Sequence, residues 1–131
     1  MTDVLVVSIT RVYDRFVREN GREPYKKEIY EMARWAWRGP KQCPLVFACG
    51  HGEIKAVFKV REWFSCGEAR NRPELRPIAP DGSPRYQEIE TDINENRLQA
   101  FVGNFAECAK QFVGKKAPRL YGPFGYTRVK C

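Results

Sequence analysis

A single histidine, His51, is all the chain offers to acid–base chemistry of that kind. A Ser-His-Asp or Cys-His site would have to run through it, and it sits between Gly50 and Gly52, in a turn, where a base is poorly held. No Gly-x-x-x-x-Gly-Lys-Ser/Thr loop and no dinucleotide fingerprint occurs, so the two best-known phosphate cradles are absent. Paired Cys-x-x-Cys steps are missing too, which argues against structural zinc at Cys43, Cys49, His51 and Cys66. No apolar run approaches the ~20 residues of a membrane span. The start lacks a basic n-region and a small-residue cleavage site, so no secretory signal is expected. Internal repeats and low-complexity segments are absent as well.

What is present is an ordinary globular composition, 43% hydrophobic and 13% aromatic in 131 residues. That length suits one domain with its own core. The balance of 23 basic against 16 acidic residues, net +7, favours a polyanionic partner, most simply nucleic acid or a nucleotide. Five cysteines, an odd number, with no signal peptide, point to a reducing, cytoplasmic setting rather than a disulfide framework. Cys49 lies in an apolar run and reads as a small core residue.

The chain is organised around residues 44–64. Leu45 to Cys49 is uniformly apolar and reads as a strand buried on both faces. Gly50-His51-Gly52 supplies a tight hairpin. The second run alternates: Ile54, Ala56, Phe58 and Val60 point one way, and Lys55, Val57, Lys59, Arg61 and Trp63 the other. The expectation is a core hairpin whose outer surface carries three cations and ends in an indole.

Before it, residues 4–9 form an apolar, central strand, and residues 11–18 a short helix stopped by Asn20-Gly21. Pro24 opens a second helix over 26–38, with Ile29, Met32, Ala33 and Ala36 as its core stripe. Tyr30, Arg34 and Trp37 form a shoulder stripe, and Trp35 falls on the other flank, beside Glu28 and Glu31. Arg34, Trp37 and Arg38 crowd the helix end, where Gly39-Pro40 stops it. Arginine and aromatic planes together suit base stacking and phosphate contact, as well as plain packing.

After the hairpin, residues 65–96 read as an irregular insertion rich in proline and in arginine (Arg70, Arg72, Arg76 and Arg85), with a weak edge strand at 86–91. A strand at 98–102 follows, then a helix over 106–113 that offers Phe105, Ala109, Phe112 and Val113 to the core. A glycine-proline-aromatic loop from Pro118 leads to a last strand near 126–130. Short strands with few helices predict an α+β class with a small, bent, mixed β-barrel and two or three flanking helices.

Several segments in order resemble a group of small microbial proteins related to the PUA-like barrels, the superfamily of the ASCH, EVE and YTH domains. They are Ile29-Tyr30-Glu31 with Ala33-Arg34 and Trp37, the hairpin from Leu45 to Trp63, and Phe101-Val102-Gly103. Phe112-Val113-Gly114-Lys115 and Tyr126-Thr127-Arg128-Val129-Lys130-Cys131 complete the set. The resemblance implies a single PUA-like domain over 1–131. It further implies RNA or DNA binding, with a base held in an aromatic cleft in the EVE and YTH types.

The function expected is therefore a module that recognises a base or phosphate of RNA, DNA or a nucleotide-like small molecule. Tyr30, Arg34, Trp37, Arg38, Lys55, Lys59, Arg61 and Trp63 are its candidate ligand-binding residues. Trp37 and Trp63 are expected on opposite sides of one cleft, with Arg34 and Lys59 supplying charge; the competing expectation is that both indoles are packed core. No catalytic residue, metal or cofactor is expected. Two alternatives stay open: an enzyme on a nucleotide or nucleic acid, with Glu31, Glu62 and the cluster Glu88, Glu90, Asp92 and Glu95 as candidate acids, and a protein-interaction module.

Overall fold

The structure, a computed structural model, describes residues 1–35, 37–76 and 98–131. In chain order it runs β1 (Thr2–Ser8), α1 (Thr10–Asn20), α2 (Lys26–Ala33), β2 (Trp37–Arg38), β3 (Leu45–Gly50) and β4 (Glu53–Ser65). Two 3₁₀ turns, Cys66–Arg70 and Pro73–Leu75, precede β5 (Leu98–Phe105), the single turn α3 (Ala109–Phe112) and β6 (Phe124–Val129). Among the described residues these strands make one six-stranded sheet, ordered β2-β5-β4-β3-β1-β6. Only β1 and β3 run parallel; every other pairing is antiparallel. The class is α+β, a mixed sheet curled strongly into a half-barrel with helices on its flanks.

The apolar runs that read as central strands are central. Val4, Leu5, Val6 and Val7 of β1 are fully buried, and all of Leu45–Gly50 is buried, because helices cover one face and the tail the other. On the helix face Leu5, Val7, Val46, Ala48, Phe58 and Phe101 pack under Tyr13, Ile29 and Ala33. The tail face carries Val4, Val6, Leu45, Phe47 and Val57 under Ala106, Cys108, Phe112 and Leu120. A third cluster, with Phe64, Cys66, Ala69, Leu75, Leu98 and Trp35, closes the far end.

The hairpin turn is His51-Gly52, both with positive φ (53° and 75°), the pattern of a two-residue primed turn. A histidine tolerates this because it is held: its backbone N–H donates to Thr10 Oγ1 (3.1 Å), and its Nε2 lies 2.7 Å from Asp14 Oδ1.

β4 does not keep one period. Ala48 faces Ala56 and Cys49 faces Ile54, so Lys55 is an extra residue; Val60 faces Gly103 and Glu62 faces Val102, so Arg61 is another. Each bulge inverts the alternation that follows it. Ile54 therefore joins the tail-face core. Trp63 joins Ala56, Phe58 and Val60 on the helix face. The expected stripe of Lys55, Lys59, Arg61 and Trp63 is corrected accordingly, since Trp63 and Lys59 leave the sheet on opposite faces.

Gly103 explains why β5 runs on to Phe105 rather than stopping at Val102. A Cβ at this position would run into the carbonyl oxygen of Lys59, so glycine alone lets β4 and β5 approach opposite the Arg61 bulge. Gly103→Ala is expected to destabilise the protein by about 2 kcal/mol or more, read as a drop in the urea midpoint at unchanged m-value. A midpoint equal to the parent's would contradict this account of the bulge.

Helix α2 ends at Ala33, five residues short of the expected Arg38. The Arg34 carbonyl accepts from Phe101 N–H (2.9 Å), and Trp37–Arg38 pair with Gln99 and Leu98, so sheet hydrogen bonds override the helical pattern. Trp35 consequently leaves the helical register; it is buried against Phe64, not on the outer flank. Near the tail, Ala109 and Phe112 pack inward as expected, whereas Phe105 and Val113 stay 48% and 46% exposed. Two expectations, the strand at 86–91 and Ala36 in the core stripe, lie outside the described residues.

The reading of five reduced thiols is also corrected. Cys108 and Cys131 form a disulfide, while Cys43, Cys49 and Cys66 are buried and outside any disulfide, one in each core cluster. No helix among the described residues is long and apolar enough to cross a membrane.

Candidate functional site

The residues singled out from the sequence do not converge as expected. Arg34 is only 3% exposed, and its guanidinium donates to the carbonyls of Leu75 and Arg76 (both 2.9 Å) and to Glu31 (3.1 Å). It ties α2 to the second 3₁₀ turn. Trp37 and Trp63 are half-buried against the helix-face core; their indole N–H groups donate to the carbonyls of Ala33 and Cys43. The Tyr30 hydroxyl accepts from Gly103 N–H (3.0 Å), and its ring rests 5.3 Å from that of Phe58. These four side chains place their polar atoms on the fold itself.

The cations are dispersed. Lys55 lies over the Tyr13 ring (5.4 Å) and 3.8 Å from Glu53, beside the hairpin turn. Lys59 is exposed opposite Leu45 on the tail face, Arg61 is exposed at its bulge, and Arg38 is exposed on β2, an edge among the described strands.

Of the candidate acids, Glu31 holds Arg34. Glu62 accepts from Arg72 (2.8 Å), which holds its carboxyl below the usual carboxylate range, the opposite of a poised general acid. Glu88, Glu90, Asp92 and Glu95, with Arg85, lie outside the described residues.

A different place gathers functional groups. Because β1 and β3 run parallel, with Ser8 beside Cys49, their C-terminal ends finish at one rim of the sheet. There the chain leaves β1 through Ile9, whose N–H donates to the Cys49 carbonyl (2.8 Å), and enters α1 at Thr10. On the other side, Ala117 N–H donates to the Gly52 carbonyl (2.8 Å) and Ser8 N–H to the Pro123 carbonyl (2.9 Å). The loop between these anchors arches past the strand ends. A groove of about 580 Å³ lies here, lined by Ser8, Thr10 and Cys49 on the strand side and by Lys116, Arg119 and Leu120 on the loop side.

Its lining combines cations with hydroxyls. Lys116 and Arg119 are exposed cations, and Ser8 and Thr10 bring hydroxyls. The first turn of α1 has no side-chain cap and no acidic residue, so its amide ends add a partial positive charge. At the rim Tyr121 is 89% exposed, with the Arg119 guanidinium 5.3 Å from its ring centre. Burial pushes the Cys49 thiol up to about 12, so it is a neutral wall rather than a nucleophile at pH 7.

Sequence reasoning missed this groove because its parts are far apart in the chain and become neighbours through the parallel β1–β3 pairing. The glycine-proline-aromatic loop with Arg119 and Tyr121 is the sequence signal that could have marked it. Comparison with protein-family models, with curated proteins and with solved structures gave no match.

Proposed function

We propose that the protein is a binding module for a phosphate-bearing ligand, RNA, DNA or a nucleotide, and that the groove between Thr10 and Arg119 is its site. The observation that carries this reading is a cavity of ligand size, about 580 Å³, at the C-terminal ends of the parallel strands with Lys116 and Arg119 on its wall. In this reading phosphate oxygens accept from Lys116, Arg119 and the α1 amides, and a base stacks on Tyr121. The net charge of +7 supports a polyanion. The curled half-barrel is compatible with a PUA-like module, which accords with such a ligand.

Titration of a short single-stranded oligonucleotide and of a nucleoside monophosphate at increasing salt tests it. With two cations engaged by backbone phosphates, log affinity for the oligonucleotide should fall with log salt at a slope of about −1.4. No binding of either probe at low salt would end the proposal. A second reading, an enzyme on the same ligand, draws on His51 with its Nε2 2.7 Å from Asp14 and its backbone N–H donating to Thr10, a groove residue. Turnover of nucleoside phosphates with and without magnesium separates that reading from binding alone.

A further inference from the structure

We propose that the Cys108–Cys131 disulfide is a thiol-responsive clamp on the groove, keeping its loop wall in place until a dithiol reductant opens it. The inference rests on the groove's being the ligand site. The bond joins residues 23 apart in sequence, and the groove residues Lys116, Arg119 and Leu120 all lie within the ring it closes.

The segment needs a clamp because of where it sits. β6 is an edge strand, paired with β1 alone among the described strands, with Tyr126 and Arg128 exposed along it. Beyond that ladder the Tyr126 hydroxyl accepts from Lys41 N–H (2.9 Å), an exposed contact, and a strand with a ladder on one side opens locally at lower cost than a central one. The loop's anchors differ in kind. Ala117 is bonded to the hairpin turn at Gly52, whereas Pro123, bonded to Ser8, adjoins the first residue of β6. Peeling β6 from β1 therefore releases the second anchor and lets Arg119 and Tyr121 swing away. A closed ring restrains that opening by limiting the conformations the released segment reaches.

The chemistry has one accessible entry. Cys131 is exposed and Cys108 is buried, so a thiolate of the dithiol attacks Cys131 Sγ and expels the Cys108 thiolate, which takes up a proton. The reductant's second thiol then attacks the mixed disulfide, releasing Cys131 as a thiol and leaving the reductant as a cyclic disulfide. Two electrons and two protons pass to the protein. Cys43, Cys49 and Cys66 are buried and already reduced, so they contribute nothing to the exchange.

Hydrogen exchange with mass analysis, on the oxidised protein, the dithiothreitol-reduced protein and Cys131→Ser, tests the clamp. Expected is about tenfold faster exchange of the non-proline amides between residues 118 and 129 on reduction and in the variant, with the β3–β4 hairpin unchanged. The affinity for a nucleoside monophosphate should fall several-fold alongside, in proportion to the closed fraction lost. Unchanged exchange at 118–129 overturns the clamp, as does acceleration that spreads equally to the hairpin, or an intact mass showing five thiols before reduction. If exchange rises as expected while affinity is equal in both states, the bond holds β6 but does not govern the groove, and the clamp is again overturned. Absence of nucleotide binding in every state would instead remove the groove reading, and with it the clamp's purpose.

Discussion

Trp63→Ala is expected to lose about 3 kcal/mol of stability, the cost of truncating a packed aromatic ring. The Trp63 ring lies 5.3 Å from that of Phe101 at the helix-face core, and its N–H satisfies the Cys43 carbonyl at 2.8 Å. Removing the indole leaves a void and an orphaned carbonyl together. Lys59→Ala, exposed on the other face, should change stability by less than about 0.5 kcal/mol. Urea denaturation of both variants checks the pair. A Trp63→Ala protein as stable as its parent, yet weakened in ligand binding, would return Trp63 to the role of a stacking ring and contradict the bulge-inverted register.

Reversing two charges together, Lys116→Glu with Arg119→Glu, is expected to weaken nucleotide or oligonucleotide binding by at least about 100-fold. Hydrogen bonds between charged partners contribute about 1.5–3 kcal/mol each, and reversal adds repulsion to their loss. Both side chains are exposed, so the thermal midpoint should hardly move. The control reverses Lys59 and Arg61, which changes net charge equally but lies outside the groove lining. If affinity drops alike in both double variants, the protein is reading overall charge through its long-range field and the groove is not the site. If only the first pair matters, position rather than charge total is responsible.

The central strands and the hairpin were legible because burial on both faces leaves an unbroken apolar run, and Val4–Val7 and Leu45–Cys49 are such runs. The Asn20-Gly21 stop was equally plain: Gly21 caps α1 in the left-handed region with φ 67°. What stayed hidden was set by partners distant in sequence. Lys55 and Arg61 look like members of an alternating stripe, and only the register against β3 and β5 shows them to be bulged. Trp35 and Trp37 fit a helical wheel, yet β5 draws that stretch into the sheet. A guanidinium beside aromatic residues reads equally as a ligand clamp or as a structural tie. At Arg34 the tie is what the structure contains, made to carbonyls 41 and 42 residues away. The Cys108–Cys131 pairing was illegible for the same reason, since it depends on β6 lying against β1.

The central claim is that ligand phosphate enters the groove at the ends of β1 and β3. Two-dimensional amide NMR during titration with adenosine 5′-monophosphate tests it most directly. The account predicts saturable shifts confined to Ser8 through Val12 and Lys116 through Gly122, where the groove walls and the α1 amides lie. Saturable shifts centred instead on Trp37, Trp63 and their neighbours, with Ser8 and Arg119 unmoved, would contradict it.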